Sequence, residues 1–189
     1  MNPKRFSLQP FPGEETVPGR KVTGTIGRRG DTLSCDFAIR GNLSGLAIPL
    51  PEAPPERRGR LWEETCLEIF LGKRGEEGYW EFHLSPAGHW NVYRFASYRE
   101  GMREEPAFPS LPFHVTTGPR ALRISLDLRL EKILPAGVPV AASVCAVLKT
   151  VTGRTSHWAL SHPGPRPDFH RREGFLLNLP DNVLHGQSR

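Results

Sequence analysis

The residues with the widest chemical reach lie in two runs, Leu61 to Leu71 (LWEETCLEIFL) and Tyr79 to Tyr93 (YWEFHLSPAGHWNVY). They hold three of the four Trp (Trp62, Trp80, Trp90), two of the three Tyr (Tyr79, Tyr93) and the carboxylates of Glu63, Glu64, Glu68 and Glu81. Read as strands, with side chains alternating between faces, Leu67, Ile69 and Leu71 share one face while Cys66, Glu68 and Phe70 share the other. The same rule separates Trp80, Phe82 and Leu84, which read as core, from Tyr79, Glu81 and His83. A hairpin through the loop from Gly72 to Gly78 then sets Glu68 and Glu81 on one face. Two neighbouring carboxylates can serve as a glycosidase pair, ligate Ca²⁺ or accept sugar hydroxyls, or they can form a solvated face with Arg partners. No residue marks one carboxylate as buried and the other as exposed, which leaves hydroxyl capture as the preferred functional reading. Trp62 follows a Pro-rich stretch and Trp90 follows the turn Ser85-Pro86-Ala87-Gly88, positions where an indole can stack on the CH face of a pyranose, with Tyr93 at the edge.

A second polar group runs from His157 to His170 and contains Trp158, His162 and Asp168. Asp168 and His170 share a face if the chain is extended there. His157, His162, Asp168 and His170 are suitable metal ligands, but their spacing matches neither a zincin helix nor a facial triad. Structural hydrogen bonding and ligand contact stand as the other readings. No GxSxG elbow, P-loop or post-strand GxGxxG occurs, so no catalytic residue is assigned. The expected ligand-binding set is Trp62, Glu68, Glu81, His83, Trp90, Tyr93, Trp158, His162, Asp168 and His170, with no metal ligand assigned.

Strands must position these groups. Leu33, Cys35, Phe37 and Ile39 alternate with polar or small residues, as do Leu122, Ile124, Leu126 and Leu128, and both patterns predict half-buried strands. Val138 to Leu148 is apolar on both parities apart from Ser143 and reads as a central strand covered on both faces. Further strands are expected at Lys21 to Gly27, Cys66 to Leu71, Tyr79 to Leu84, Trp90 to Ser97, Phe113 to Thr117, Thr155 to Leu160 and Phe175 to Leu179. The segment from Pro49 to Arg60 is a surface loop because its prolines lack the donor a central strand needs, and Leu128 to Leu134 offers a helical connector. The expected fold is all-β, a two-sheet antiparallel β-sandwich in one domain of 189 residues, with 1–20 and 181–189 peripheral.

Composition narrows the partners. A net charge of +5, from 25 Lys and Arg against 20 Asp and Glu, is scattered in short groups such as Arg57-Arg58-Gly59-Arg60 and Arg171-Arg172. With no basic stripe and no zinc-finger or RNP pattern, nucleic acid is not an expected partner. Cys35, Cys66 and Cys145 are odd in number and lie in apolar segments, which suits buried thiols in a reducing compartment. There is no apolar leader or membrane span, so the expected setting is cytoplasmic with no membrane partner.

The ordered motifs carry a family resemblance. LWEETCLEIFL, Tyr79-Trp80-Glu81-Phe82, Ser85 to Tyr93, Tyr98-Arg99, Trp158 to Pro163 and Pro167-Asp168-Phe169-His170 resemble bacterial DOMON-like proteins of the carbohydrate-binding-module family 9-like superfamily. The resemblance spans Trp62 to His170. It implies an immunoglobulin-like or jelly-roll-like sandwich that binds sugars in some members and haem in others, with catalysis left to separate domains. The expected function is therefore non-catalytic binding of a carbohydrate or sugar-like molecule without a cofactor. The alternatives are a haem protein using Met102 with His157, His162 or His170, a Ca²⁺ site, a metal-dependent enzyme built on His157, His162, Asp168 and His170, and an interaction module without a small ligand.

Overall fold

The computed structural model describes residues 3–180 and shows an antiparallel all-β protein. Its strands are β1 (Lys4–Pro10), β2 (Lys21–Arg29), β3 (Thr32–Arg40), β4 (Cys66–Lys73), β5 (Tyr79–Leu84) and β6 (Trp90–Phe95). They continue as β7 (Arg103–Glu104), β8 (Phe113–Gly118), β9 (Ala121–Arg129), β10 (Val140–Lys149), β11 (Thr155–Ala159) and β12 (Leu177–Leu179). The alternating segments of the sequence became β3 and β9, paired in register from Thr32 opposite Arg129 to Arg40 opposite Ala121. The connector expected at Leu128 to Leu134 shrinks to one 3₁₀ turn at Leu130–Lys132, because β9 pairs as far as Arg129.

Hydrogen bonding follows one path, β7-β6-β5-β4-β10-β11-β1-β2-β3-β9-β8, with β12 added to β10. The sheet curls so that Ile26, Leu33, Phe37 and Ile124 of one wing share a core with Ile69, Leu71, Phe82 and Val144 of the other. Burying each such side chain contributes roughly 1.5–3 kcal/mol. The wings meet at β1, which pairs with β2 from Lys4 opposite Ile26 to Leu8 opposite Val22, and then with β11 at Gln9 opposite Ala159 and Pro10 opposite Trp158. Residues 1–20 are thus not wholly peripheral: Phe6 and Leu8 are buried in the core. Only those two apolar residues alternate in a stretch rich in proline, so the periodic signal was weak. The expectation for 181–189 lies outside the described residues.

β10 is covered on both faces, as its sequence predicts, but by different means. Ala142, Val144, Ala146 and Leu148 join the main core, whereas Cys145 joins a second cluster with Phe70, Tyr79, Tyr93, Phe95, Ala159 and Phe175. This second apolar face of β4, β5, β6, β10 and β11 positions the site. All three cysteines are buried and unpaired. No helix among the described residues is long and apolar enough to cross a membrane.

Candidate functional site

The floor of the site follows from strand parity. Glu68 on β4 lies opposite His83 on β5 and Cys145 on β10, while Glu81 lies opposite Phe70 on β4 and Tyr93 on β6. Glu68, Glu81 and His83 therefore face away from the main core, as the alternation requires. Over them opens a cavity of about 330 Å³, floored by Glu68, Glu81 and Val147. Trp62, Phe95 and Met102 form part of its wall, and Arg99, His157 and the segment from Pro167 to His170 complete it.

Its charges are unequal. Glu81 Oε1 and His83 Nε2 are 2.7 Å apart, both side chains buried, while Glu68 makes no hydrogen bond among the described residues although only 2% of it is exposed. Burial, reinforced by the charge of Glu81 and only partly opposed by His83, pushes the Glu68 carboxyl up to about 8. At neutral pH it is mostly a neutral acid, able to donate as well as accept. Burial works against the charged form of His83, but the Glu81 hydrogen bond and the charges of Glu68 and Glu81 outweigh it and raise its pKa. Burial also pushes up the Cys66 and Cys145 thiols, which the nearby Glu68 charge reinforces.

Trp62 occupies the 3₁₀ turn Leu61–Glu63, entered through Arg60 in a left-handed conformation at φ 59°. Its indole stands edge-to-face over His83 at 5.3 Å and Tyr93 at 6.0 Å, yet keeps 36% of its surface exposed. Tyr93 lies beneath it, and its hydroxyl accepts a bond from Asn91 Nδ2 at 3.0 Å.

The opposite wall is a hydrogen-bonded strap. Asp168 accepts from the Tyr98 hydroxyl, from Arg99 Nη2 at 2.9 Å and from the His170 amide at 3.1 Å. Burial would raise its pKa, but the Tyr98 and Arg99 bonds prevail and hold it below its ordinary value. His170 Nδ1 meets the Tyr79 hydroxyl at 2.8 Å. Burial drives Tyr79 up to about 12 and lowers His170, so Tyr79 donates to a neutral imidazole. The Tyr79 oxygen in turn accepts the Arg99 amide at 3.1 Å, binding the Tyr98-Arg99 turn to the strap.

The structure brings Trp62, Glu68, Glu81, Asp168 and His170 to one cavity, with His83 and Tyr93 buried beneath Trp62. It does not bring Trp90, Trp158 or His162 to the cavity. Trp90 lies opposite Leu84 on the core side, 3% exposed, with the Arg57 guanidinium 4.5 Å above its ring. Trp158 is also in the core, opposite Ala146, and its Nε1 donates to Ser156 Oγ at 3.0 Å. His162 lies outside, with Nε2 2.9 Å from the Gln9 carbonyl oxygen and its ring edge-to-face with Phe11. The quartet His157, His162, Asp168 and His170 therefore does not converge, since His157 Nδ1 is 2.7 Å from Glu14 Oε1 and the other three are engaged as described. Among the described residues, the one group with metal-ligand spacing is Glu68, Glu81 and His83, whose ligand atoms lie within 4.8 Å of one another. The sequence reading did not assign Phe95, Arg99 or Phe169 to the site. Phe95 shares the parity of Tyr93 and was within reach of the alternation argument, whereas Arg99 and Phe169 sit in loops without a period.

No protein-family model matches the chain, and no curated protein matches it. Solved structures do. A candidate carbohydrate-binding protein from Bacteroides uniformis superposes with a TM-score of 0.68 at 14% identity, over 94% of this chain and 86% of its own. A family 9 carbohydrate-binding module from Caldicellulosiruptor kristjanssonii in complex with cellotriose gives 0.55 at 9% identity, over 93% and 83% of the two chains. The glucose complex of a family 9 module from that organism gives 0.52 at 9% identity, over 88% and 78%. At these identities the likeness is one of fold, and the chain has the fold of the family 9 carbohydrate-binding modules.

Proposed function

We propose that this protein binds a carbohydrate non-covalently in the cavity between Trp62 and the Asp168–His170 strap. The observation that carries the reading is a half-exposed indole beside a cavity floored by carboxyl groups. An indole face accepts the apolar CH surface of a pyranose while few torsions are frozen, and the cavity volume falls in the range of small-ligand sites. Asp168 and Arg99 supply an acceptor and a donor on one side, and Glu68 as a neutral acid can do both from the floor. The fold relatives solved with cellotriose and with glucose support the ligand class. We read the two wings of the sheet as the two layers of a sandwich, with the ligand on the outer face of one.

The reading is non-catalytic. A glycosidase places its two carboxyl groups on either side of the scissile bond. Here both rise from adjacent strands of one floor, and Glu81 is engaged by His83. A glycan array followed by calorimetry tests the proposal. Binding of at least one mono- or oligosaccharide that Trp62→Ala weakens supports it. No carbohydrate response, or responses indifferent to Trp62→Ala, would overturn it.

A further inference from the structure

We propose that Glu68, Glu81 and His83 bind a divalent first-row transition-metal ion of the Zn²⁺ or Mn²⁺ class. Three potential ligand atoms from two adjacent strands lie within 4.8 Å of one another, all on buried side chains. One of the three residues also has an unanswered polar group: the Glu68 carboxyl has no hydrogen-bond partner among the described residues and lines the cavity. Buried polar groups are nearly always satisfied, and a carboxyl group on a residue only 2% exposed, beside a second carboxyl, calls for a donor or a cation rather than another acceptor. Arg99, the arginine that lines the same cavity, is taken by Asp168.

The donor set chooses the ion. Two carboxylates and an imidazole are too few oxygens for Ca²⁺, which takes six to eight, whereas imidazole with carboxylate suits Zn²⁺ and Mn²⁺. Metal–ligand distances of about 2.0–2.2 Å place neighbouring ligand atoms roughly 3 to 3.5 Å apart. Glu81 and His83 are already 2.7 Å apart, so a small separation of that pair and a turn of the Glu68 side chain create the geometry. Three protein ligands on a floor leave the remaining coordination positions facing the cavity, the pattern of an open rather than a closed zinc site. The inference shares Glu68 with the proposed sugar site but does not use the Trp62 platform.

The test uses the full chain, dialysed against chelator and then into metal-free buffer, with ZnCl₂ titrated by calorimetry and MnCl₂ followed by electron paramagnetic resonance. One equivalent should bind, and Glu68→Gln and Glu81→Gln should each weaken it at least about tenfold, while His114→Ala on the distant β8 should leave it unchanged. Circular dichroism establishes that the variants fold. Should either fail to, Mn²⁺ bound to the wild-type chain must broaden the proton resonances of Trp62, whose ring stands 5.3 Å from His83, at one equivalent. No stoichiometric binding, binding unaffected by both Gln variants, or no broadening of Trp62 overturns the proposal. Sugar binding that depends on Trp62 in a chain that takes up no metal would remove this inference alone, and metal binding without any sugar response would remove only the carbohydrate reading.

Discussion

Ionisation of Glu68 should make this fold less stable as the solution becomes alkaline. The carboxyl titrates near 4.5 in the unfolded chain and at about 8 in the folded one. Below pH 4.5 both states hold the proton and nothing is lost. Between 4.5 and 8 the unfolded chain releases a proton that the folded chain retains, so stability falls as pH rises, and above 8 the full cost is in place. That span of about 3.5 pH units corresponds to a ceiling of about 5 kcal/mol. His83 acts in the same direction: its pKa is raised on folding, so its contribution is present below 6.5 and is lost as pH climbs through the folded value. Glu68→Gln removes the titration while keeping the shape. Urea unfolding in the presence of chelator should find the variant close to wild type at pH 5 and more stable at pH 9, by up to about 5 kcal/mol. For a chain of this length each kcal/mol corresponds to about 2–4 °C in Tm. Titrating groups far from Glu68 cancel in the comparison of variant with wild type, whereas His83, which feels the Glu68 charge, does not. If the two stability curves run parallel from pH 5 to pH 9, the carboxyl is not held neutral by its surroundings and the account of the floor fails.

Other perturbations separate site from scaffold. Trp90→Ala should cost about 3–5 kcal/mol of stability, read by chemical denaturation, because it empties a core position; Trp62→Ala, a surface change, should cost far less while weakening sugar binding. Phe6→Ala should be destabilising by about 3–5 kcal/mol if β1 ties the two wings together, whereas a peripheral N-terminal segment would tolerate it. Tyr79→Phe removes the hydroxyl that donates to His170 and accepts the Arg99 amide. It should cost about 1–3 kcal/mol, and amide exchange of the Tyr98-Arg99 turn should quicken while that of β10 does not.

The floor of the site was legible because a strand has one period. Glu68, Glu81 and His83 fell on a common face by counting in twos, and the pairing of β4 with β5 through the Gly72 to Gly78 loop supplied the rest. Trp90 obeys the same rule: position 90 has the parity of Val92 in β6, both in the core, and its place after a turn does not put it at a rim. Trp158 likewise faces the core between positions 157 and 159, which point to the other side. The walls obeyed no period. Arg99 reaches Asp168 because a left-handed residue at φ 57° turns the chain after β6, and sixty-nine residues separate the two.

This division bears on function, since the floor alone does not determine its own charge. Two carboxyl groups on an open sheet face would both be hydrated and ionised, and would then be the solvated acidic face that the alternation equally allowed. Trp62 over His83 and the Pro167 to His170 strap wall in that face and reduce its contact with bulk water. Only under that cover does Glu68 become an acid that retains its proton near neutrality, and a carboxyl group that a cation or a sugar hydroxyl would satisfy better than solvent does. Loosening the strap by Asp168→Asn, which weakens its bonds to Tyr98 and Arg99, should therefore bring the Glu68 pKa down toward 4.5, though the residue itself is untouched. Carboxyl carbon chemical shifts across a pH titration would read this directly, and a Glu68 that titrates at about 8 in both proteins would show that the floor needs no cover.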